Sequence, residues 1–117
     1  MGYSEYSDFI KRFGAPRTGV EGGEIALKKN DAVKAIELLK GSDVAVLGGD
    51  VYELENDGYF RPTYDNWYCN KCDYPSSVFA EKSQEKAMAF LKNYNETNLN
   101  VRYVLVVDAD WKKSTWS

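Results

Sequence analysis

Apolar residues along the chain recur with two different periods. Near the start, Tyr6, Phe9, Ile10 and Phe13 repeat at three- and four-residue spacing, which predicts a short helix begun by a Ser4 or Ser7 cap and ended by Gly14 and Pro16. Ala32, Ala35, Ile36 and Leu39 line one face of a second helix, from an Asn30 cap through Lys40, with Asp31 complementing the N-terminal dipole and Gly41 supplying a left-handed stop. A third stripe of Ala87, Phe90, Leu91 and Tyr94 predicts a helix from a Ser83 cap to about Tyr94. Gly19 to Gly23 reads as a turn-rich connection, and Glu24-Ile25-Ala26-Leu27 fits either an extended segment or the lead into the second helix.

Elsewhere the period is that of strands. Val44-Ala45-Val46-Leu47 is an apolar run of strand length, Gly48-Gly49 permits a bulge or a close backbone approach, and Asp50-Val51-Tyr52-Glu53-Leu54 alternates, so one bent strand or two is expected. Asn56-Asp57-Gly58 is a hairpin signal, because Asp-Gly tolerates the positive φ of tight turns. Tyr59 to Tyr64 is then the returning strand, and Pro62 places it at a sheet edge. Val101 to Val107 is apolar throughout, which implies burial on both faces and a central position, with a solvated tail from Asp108 through Lys113. The elements predict an α+β domain, 1–117, with a small mixed or antiparallel sheet of about three to five strands packed with about three helices.

Composition leaves this picture intact: 117 residues with 44% hydrophobic and 28% charged side chains suit one ordinary folded unit rather than a disordered chain. The first residues carry charge at Glu5, Asp8, Lys11 and Arg12 and have no apolar core of signal-peptide length, and no apolar run approaches the length of a membrane span. A cytoplasmic protein is expected.

Histidine is absent, which removes the side chain that most often performs acid–base work at neutral pH, and with it Ser-His, Cys-His and HExxH arrangements. Cys69 and Cys72 form a single CxxC with no third Cys or His, too few ligands for a zinc site of the usual type, and their polar, aromatic surroundings do not resemble a redox helix start. There is no phosphate-binding GxxxxGK[ST] motif, and the Gly19–Gly23 turn is flanked by Glu21 and Glu24, which repel phosphate. Asp50 and Asp65 could form a glycosidase-like pair or hold a cation, although each also reads as a turn or bulge acid bonded to nearby backbone amides. The basic residues are scattered pairs, so no nucleic-acid surface is expected. No cofactor is implied.

Charge instead concentrates with aromatics. Between Asp43 and Glu81 eight acids stand against only Arg61 and Lys71, a local charge of −6, whereas the remaining 13 bases and 10 acids leave +3. The same stretch carries Tyr52, Tyr59, Phe60, Tyr64, Trp67, Tyr68, Tyr74 and Phe79, and Tyr and Trp are frequent anchors of protein interfaces. An acidic, aromatic surface suits a basic protein partner. Asp50, Glu53, Asp57, Tyr59, Asp65 and Asp73 are the residues expected to face it, with Tyr64, Asn66 and Trp67 supporting that surface or joining it, and Gly48 and Gly49 architectural.

The strings GGDVYE and TYDNWYC, the helix carrying Ser83, Ala87 and Tyr94, and the closing YVLVV resemble the immunity protein 40 family of bacterial polymorphic toxin and contact-dependent inhibition systems, over about Ala35 to Val107. The resemblance implies a cytoplasmic protein that binds the C-terminal domain of a cognate toxin and blocks it, with no catalytic residues. Many such toxins are basic nucleases, and an acidic inhibitor would shield a positive substrate groove and speed association. Two other classes stay open at this level: a small enzyme or metal-binding module using Asp50, Asp65 and the cysteine pair, and an adaptor for another basic protein.

Overall fold

The computed structural model describes residues 2–16 and 24–113. Three helices and five strands alternate as α1 (Tyr3–Phe13), β1 (Ala15–Pro16), β2 (Ile25–Leu27), α2 (Lys29–Glu37), β3 (Ala45–Leu54), β4 (Phe60–Tyr68), α3 (Phe79–Asn93) and β5 (Val101–Asp108), with 3-10 turns at Lys71–Asp73 and Trp111–Lys113. The strands form one open antiparallel sheet in the order β1-β2-β5-β3-β4, so the fold is α+β. The Gly19–Gly23 turn lies outside the described residues.

All three helices cover one face of the sheet. Their apolar stripes, including Tyr6, Ala35, Ile36, Ala87 and Leu91, merge with Val46, Val51, Trp67, Val101 and Tyr103 into one core. A smaller cluster closes the sheet end where β3 begins, built from Ala45, Cys69, Phe79, Ala80 and Trp111. Burying each large aromatic here contributes on the order of 2 kcal/mol.

β5 is central, as its apolar run predicts, and Tyr103 and Val104 are buried on its two opposite faces, but that two-sided burial does not reach the end of the strand. Val101 and Tyr103 point into the helix-covered core, whereas Val106 points the other way and is 42% exposed. The tail also departs from expectation: Trp111 is fully buried and its indole N–H donates to the Asp43 carbonyl at 2.8 Å, closing the second cluster.

Helix starts depart from the predicted caps. α1 begins behind Gly2 and α2 behind Lys28, neither with a side-chain cap, so Ser4, Ser7 and Asn30 lie inside the helices. α3 starts at Phe79, a full turn before Ser83, because Phe79 and Ala80 are needed in the second cluster and burial overrides capping preference. α2 ends at Glu37 and the chain continues in turns to Gly41, whose φ of +82° is the left-handed stop its sequence predicts. The undecided segment before α2 is a strand, β2, paired with β5 through Ala26 and Leu27.

Candidate functional site

The hairpin of β3 and β4 carries the residues expected to face a partner. Its turn is set by Gly58, at φ +88°, and by the Asp57 carboxylate, which accepts the Tyr59 backbone N–H at 3.0 Å and leaves the Tyr59 ring 75% exposed. β4 runs to Tyr68 rather than stopping at Tyr64, and it lies at the sheet edge as Pro62 requires.

A bulge interrupts this edge strand. Asn66 pairs with Asp50 and Pro62 with Tyr52, so Thr63, Tyr64 and Asp65 all stand opposite the single residue Val51. Side chains replace the missing ladder: the Thr63 hydroxyl donates to the Val51 carbonyl at 2.8 Å and accepts the Asp65 N–H at 3.1 Å. Tyr94, the residue that follows α3, donates its phenol to the Asp65 carboxylate at 2.7 Å, and its pKa is raised, first by burial and then by that bond. At the crest, Tyr64 adopts φ +70°, a left-handed conformation costly for an aromatic residue, and points its ring outward at 85% exposure.

Trp67 has a different role from its neighbours. It is 7% exposed, stacks on Phe90 at 4.5 Å and belongs to the core, so it supports the hairpin from beneath and does not join the exposed surface. Its ring needs the room left by Gly49, and Gly48 allows the Trp67 carbonyl to pass where a Cβ would come within 2.3 Å. Both glycines are architectural.

The acids are strung along the hairpin and do not converge. Glu53 and Glu55 share Arg61, with its Nε 2.6 Å from Glu55 Oε1 and its Nη2 on Glu53, and the bond to Glu55 is the first cause of a raised Arg61 pKa. Glu53 also accepts from Asn98 at 2.7 Å, a second bond that occupies its carboxylate. Asp43 meets Lys112 at 2.6 Å. The carboxylates left for a partner are Asp57 at the turn, Asp50 and Asp65 midway, and Asp73 in the 3-10 turn beyond the far end, where Asn66 is also exposed beside the bulge. Asp50 and Asp73 have no ion-pair partner among the described residues.

Asp50 and Asp65 sit on opposite sides of the sheet, since Asp50 shares its face with Val104 and Asn66 while Asp65 is held by Tyr94 at the end of α3, on the helix-covered side, so they do not form a glycosidase-like pair. Cys69 is buried, with a thiol pKa raised first by that burial, and Cys72 is exposed. Among the described residues no three His, Cys, Asp or Glu side chains gather as metal ligands.

A second concave feature lies away from the hairpin turn, between the end of α2 and α3. It is a groove of about 670 Å³ bordered by Glu37, Asp43, Glu81 and Glu85, with Gln84 in its lining. Sequence reasoning missed it, although Glu81, Gln84 and Glu85 share one helix face by their three- and four-residue spacing. No helix among the described residues is long and apolar enough to cross a membrane.

No curated protein and no solved structure matches the chain. The sequence model of the immunity protein 40 family matches residues 10–107, which spans α2, the β3–β4 hairpin with its bulge, α3 and almost all of β5. The chain therefore belongs to the immunity protein 40 family.

Proposed function

We propose that the protein binds the C-terminal domain of a cognate toxin and neutralises it in the cytoplasm of the producing cell, without a catalytic step of its own. The open edge of the hairpin β3–β4 is the contact surface, with Tyr64 as its anchor, Asp57 and Asp73 supplying charge toward its ends, and Asp50 and Asp65 flanking the edge from the two faces of the sheet. The observation that carries this reading is the Tyr64 bulge. A left-handed aromatic residue costs about 1–2 kcal/mol, and here it is held by Thr63 and by the Asp65–Tyr94 bond with its ring in solvent, a conformation that brings no packing return within the chain. Such a ring is preorganised for a pocket in another protein.

The charge around it favours a basic partner. A toxin that acts on nucleic acid presents a positive groove, and an acidic inhibitor seated there blocks substrate and associates quickly. Co-expression with the toxin domain encoded beside this chain tests the reading. Stable co-purification and restored growth are expected, whereas a toxin that kills equally with and without this protein contradicts it.

A further inference from the structure

Among the described residues, the indole nitrogen of Trp67 is the one buried side-chain polar atom without a hydrogen-bond partner. An indole N–H can only donate, so what it lacks is an acceptor, and burying it unpaired is costly. Its direction follows from the seat of the ring. The six-membered end, with Cη2 and Cζ3, lies over Gly49 of β3, toward the interior of the sheet. The pyrrole end that carries Nε1 is the opposite end of the fused ring, so it lies on the side of the edge strand β4.

A groove of about 460 Å³ opens on that side, and its lining includes Trp67 itself with Lys86, Ala89, Phe90 and Tyr94. β4 and α3 run along it in opposite directions: the Lys86 ammonium donates to the Tyr68 carbonyl, Phe90 stacks on Trp67, and the Tyr94 phenol donates to Asp65. The Asp65 charge therefore sits at the far end from Lys86, about 12 Å away along the helix. No acid lines the groove, and Lys86 has no carboxylate partner among the described residues. Its Lys86 end thus combines a cation without a counter-charge and a buried donor without an acceptor.

We propose that this groove takes an acidic side chain of the toxin, an inference that rests on the immunity reading. The site adjoins the hairpin edge through the Asp65–Tyr94 bond, so a toxin seated on that edge reaches it. One carboxylate oxygen accepts from the Trp67 N–H and the other from Lys86, both charge-assisted bonds. The methylenes of the ligand lie on Ala89 and Phe90, the apolar part of the lining. The indole nitrogen is covered in the free protein, and the carboxylate reaches it as the exposed Lys86 side chain leaves the Tyr68 carbonyl to meet the ligand. A neutral carbonyl would serve Trp67 but leave Lys86 without a counter-charge.

The test uses the isotope-labelled full chain titrated with N-acetyl-glutamate amide, with N-acetyl-glutamine amide as the neutral control at equal ionic strength. A saturable downfield NMR shift of the Trp67 indole N–H is expected with the glutamate compound only. In the Lys86→Met variant, which keeps the apolar stem and loses the ammonium, the affinity should fall about tenfold while the melting curve shows an intact fold. No saturable shift, or the same shift with the neutral compound, overturns the carboxylate site. With the toxin domain itself, the Trp67 N–H signal should move in the same direction, and Lys86→Met should bind about tenfold more weakly. An unmoved Trp67 signal, or affinity equal to that of the unaltered protein, overturns the assignment to a toxin carboxylate while leaving the immunity reading standing. If the unaltered protein does not bind the toxin at all, the immunity reading fails and the toxin carboxylate with it, while the glutamate titration still decides the groove.

Discussion

The far edge of the Trp67 indole lies against Gly49: a Cβ on Gly49 would stand 2.3 Å from Cη2, 2.5 Å from Cζ3 and 2.8 Å from the Val104 carbonyl oxygen. The ring is fixed on its other side by Phe90, and the carbonyl belongs to the central strand, so neither can retreat cheaply. Gly49→Ala should therefore destabilise the fold by about 2–3 kcal/mol, read as a lower urea midpoint. A midpoint unchanged from the unaltered protein would show that the Trp67 seat is not tightly packed.

Ser83 ties α3 to the start of β3. Its fully buried hydroxyl accepts the Val46 N–H at 2.9 Å and donates to the Ala80 carbonyl at 2.8 Å, next to the register shift between Val46 and Gly48. Ser83→Ala leaves the Val46 N–H buried and unpaired, and should cost about 1–3 kcal/mol without shortening the helix. Hydrogen exchange should locate the loss at Val46. An effect confined to the first turn of α3 would instead indicate a capping role.

Tyr64 is the residue at which stability and binding should part. Tyr64→Asn keeps a side chain that tolerates left-handed backbone and removes a ring that is 85% exposed, so the melting temperature should stay level or rise by the equivalent of up to about 1 kcal/mol. Toxin affinity should fall about thirtyfold, as for a contact worth about 2 kcal/mol. Lost stability with full affinity would contradict the role given to Tyr64.

Much of this architecture was legible in the sequence, and the departures have one cause. The stripes of α1, α2 and α3, the Asn56-Asp57-Gly58 hairpin, the edge position of β4 and the central β5 follow from local periodicity and turn chemistry. What the sequence concealed depends on contacts between distant segments. Ser83 resembles a cap until Val46 arrives 37 residues away in sequence, and Trp111 sits in a polar tail until Asp43 accepts its N–H. The Tyr64 bulge is set by Thr63 and Tyr94, and nothing in the string Pro62-Thr63-Tyr64-Asp65 signals a left-handed tyrosine. The acidic segment was visible as composition, but Arg61 and Lys112 neutralise part of it only in the fold.

Alkaline pH should weaken the protein through its buried phenols. Tyr6 and Tyr103 both titrate above the ordinary tyrosine value, chiefly because of burial, with Tyr3 adding to the first and the bond to Glu96 at 2.9 Å to the second. The folded state thus holds these protons more tightly than the unfolded chain, whose phenols titrate near about 10. The stability they contribute is complete below that pH and is lost as pH rises above it toward the folded-state values. Urea midpoints should fall steeply above about pH 10, and Tyr103→Phe should make the fall shallower. An identical slope in that variant would remove Tyr103 from the explanation.

The most direct test of the hairpin as the toxin-binding surface is calorimetric titration of the toxin domain against this protein and its Asp50→Lys/Asp57→Lys/Asp65→Lys variant. A melting curve recorded alongside controls for the lost Asp65–Tyr94 bond. The folded variant should bind at least about a hundredfold more weakly, the effect of reversing three charges at a complementary interface. Equal affinity with an intact melting transition would contradict it and move the toxin to another face of the molecule.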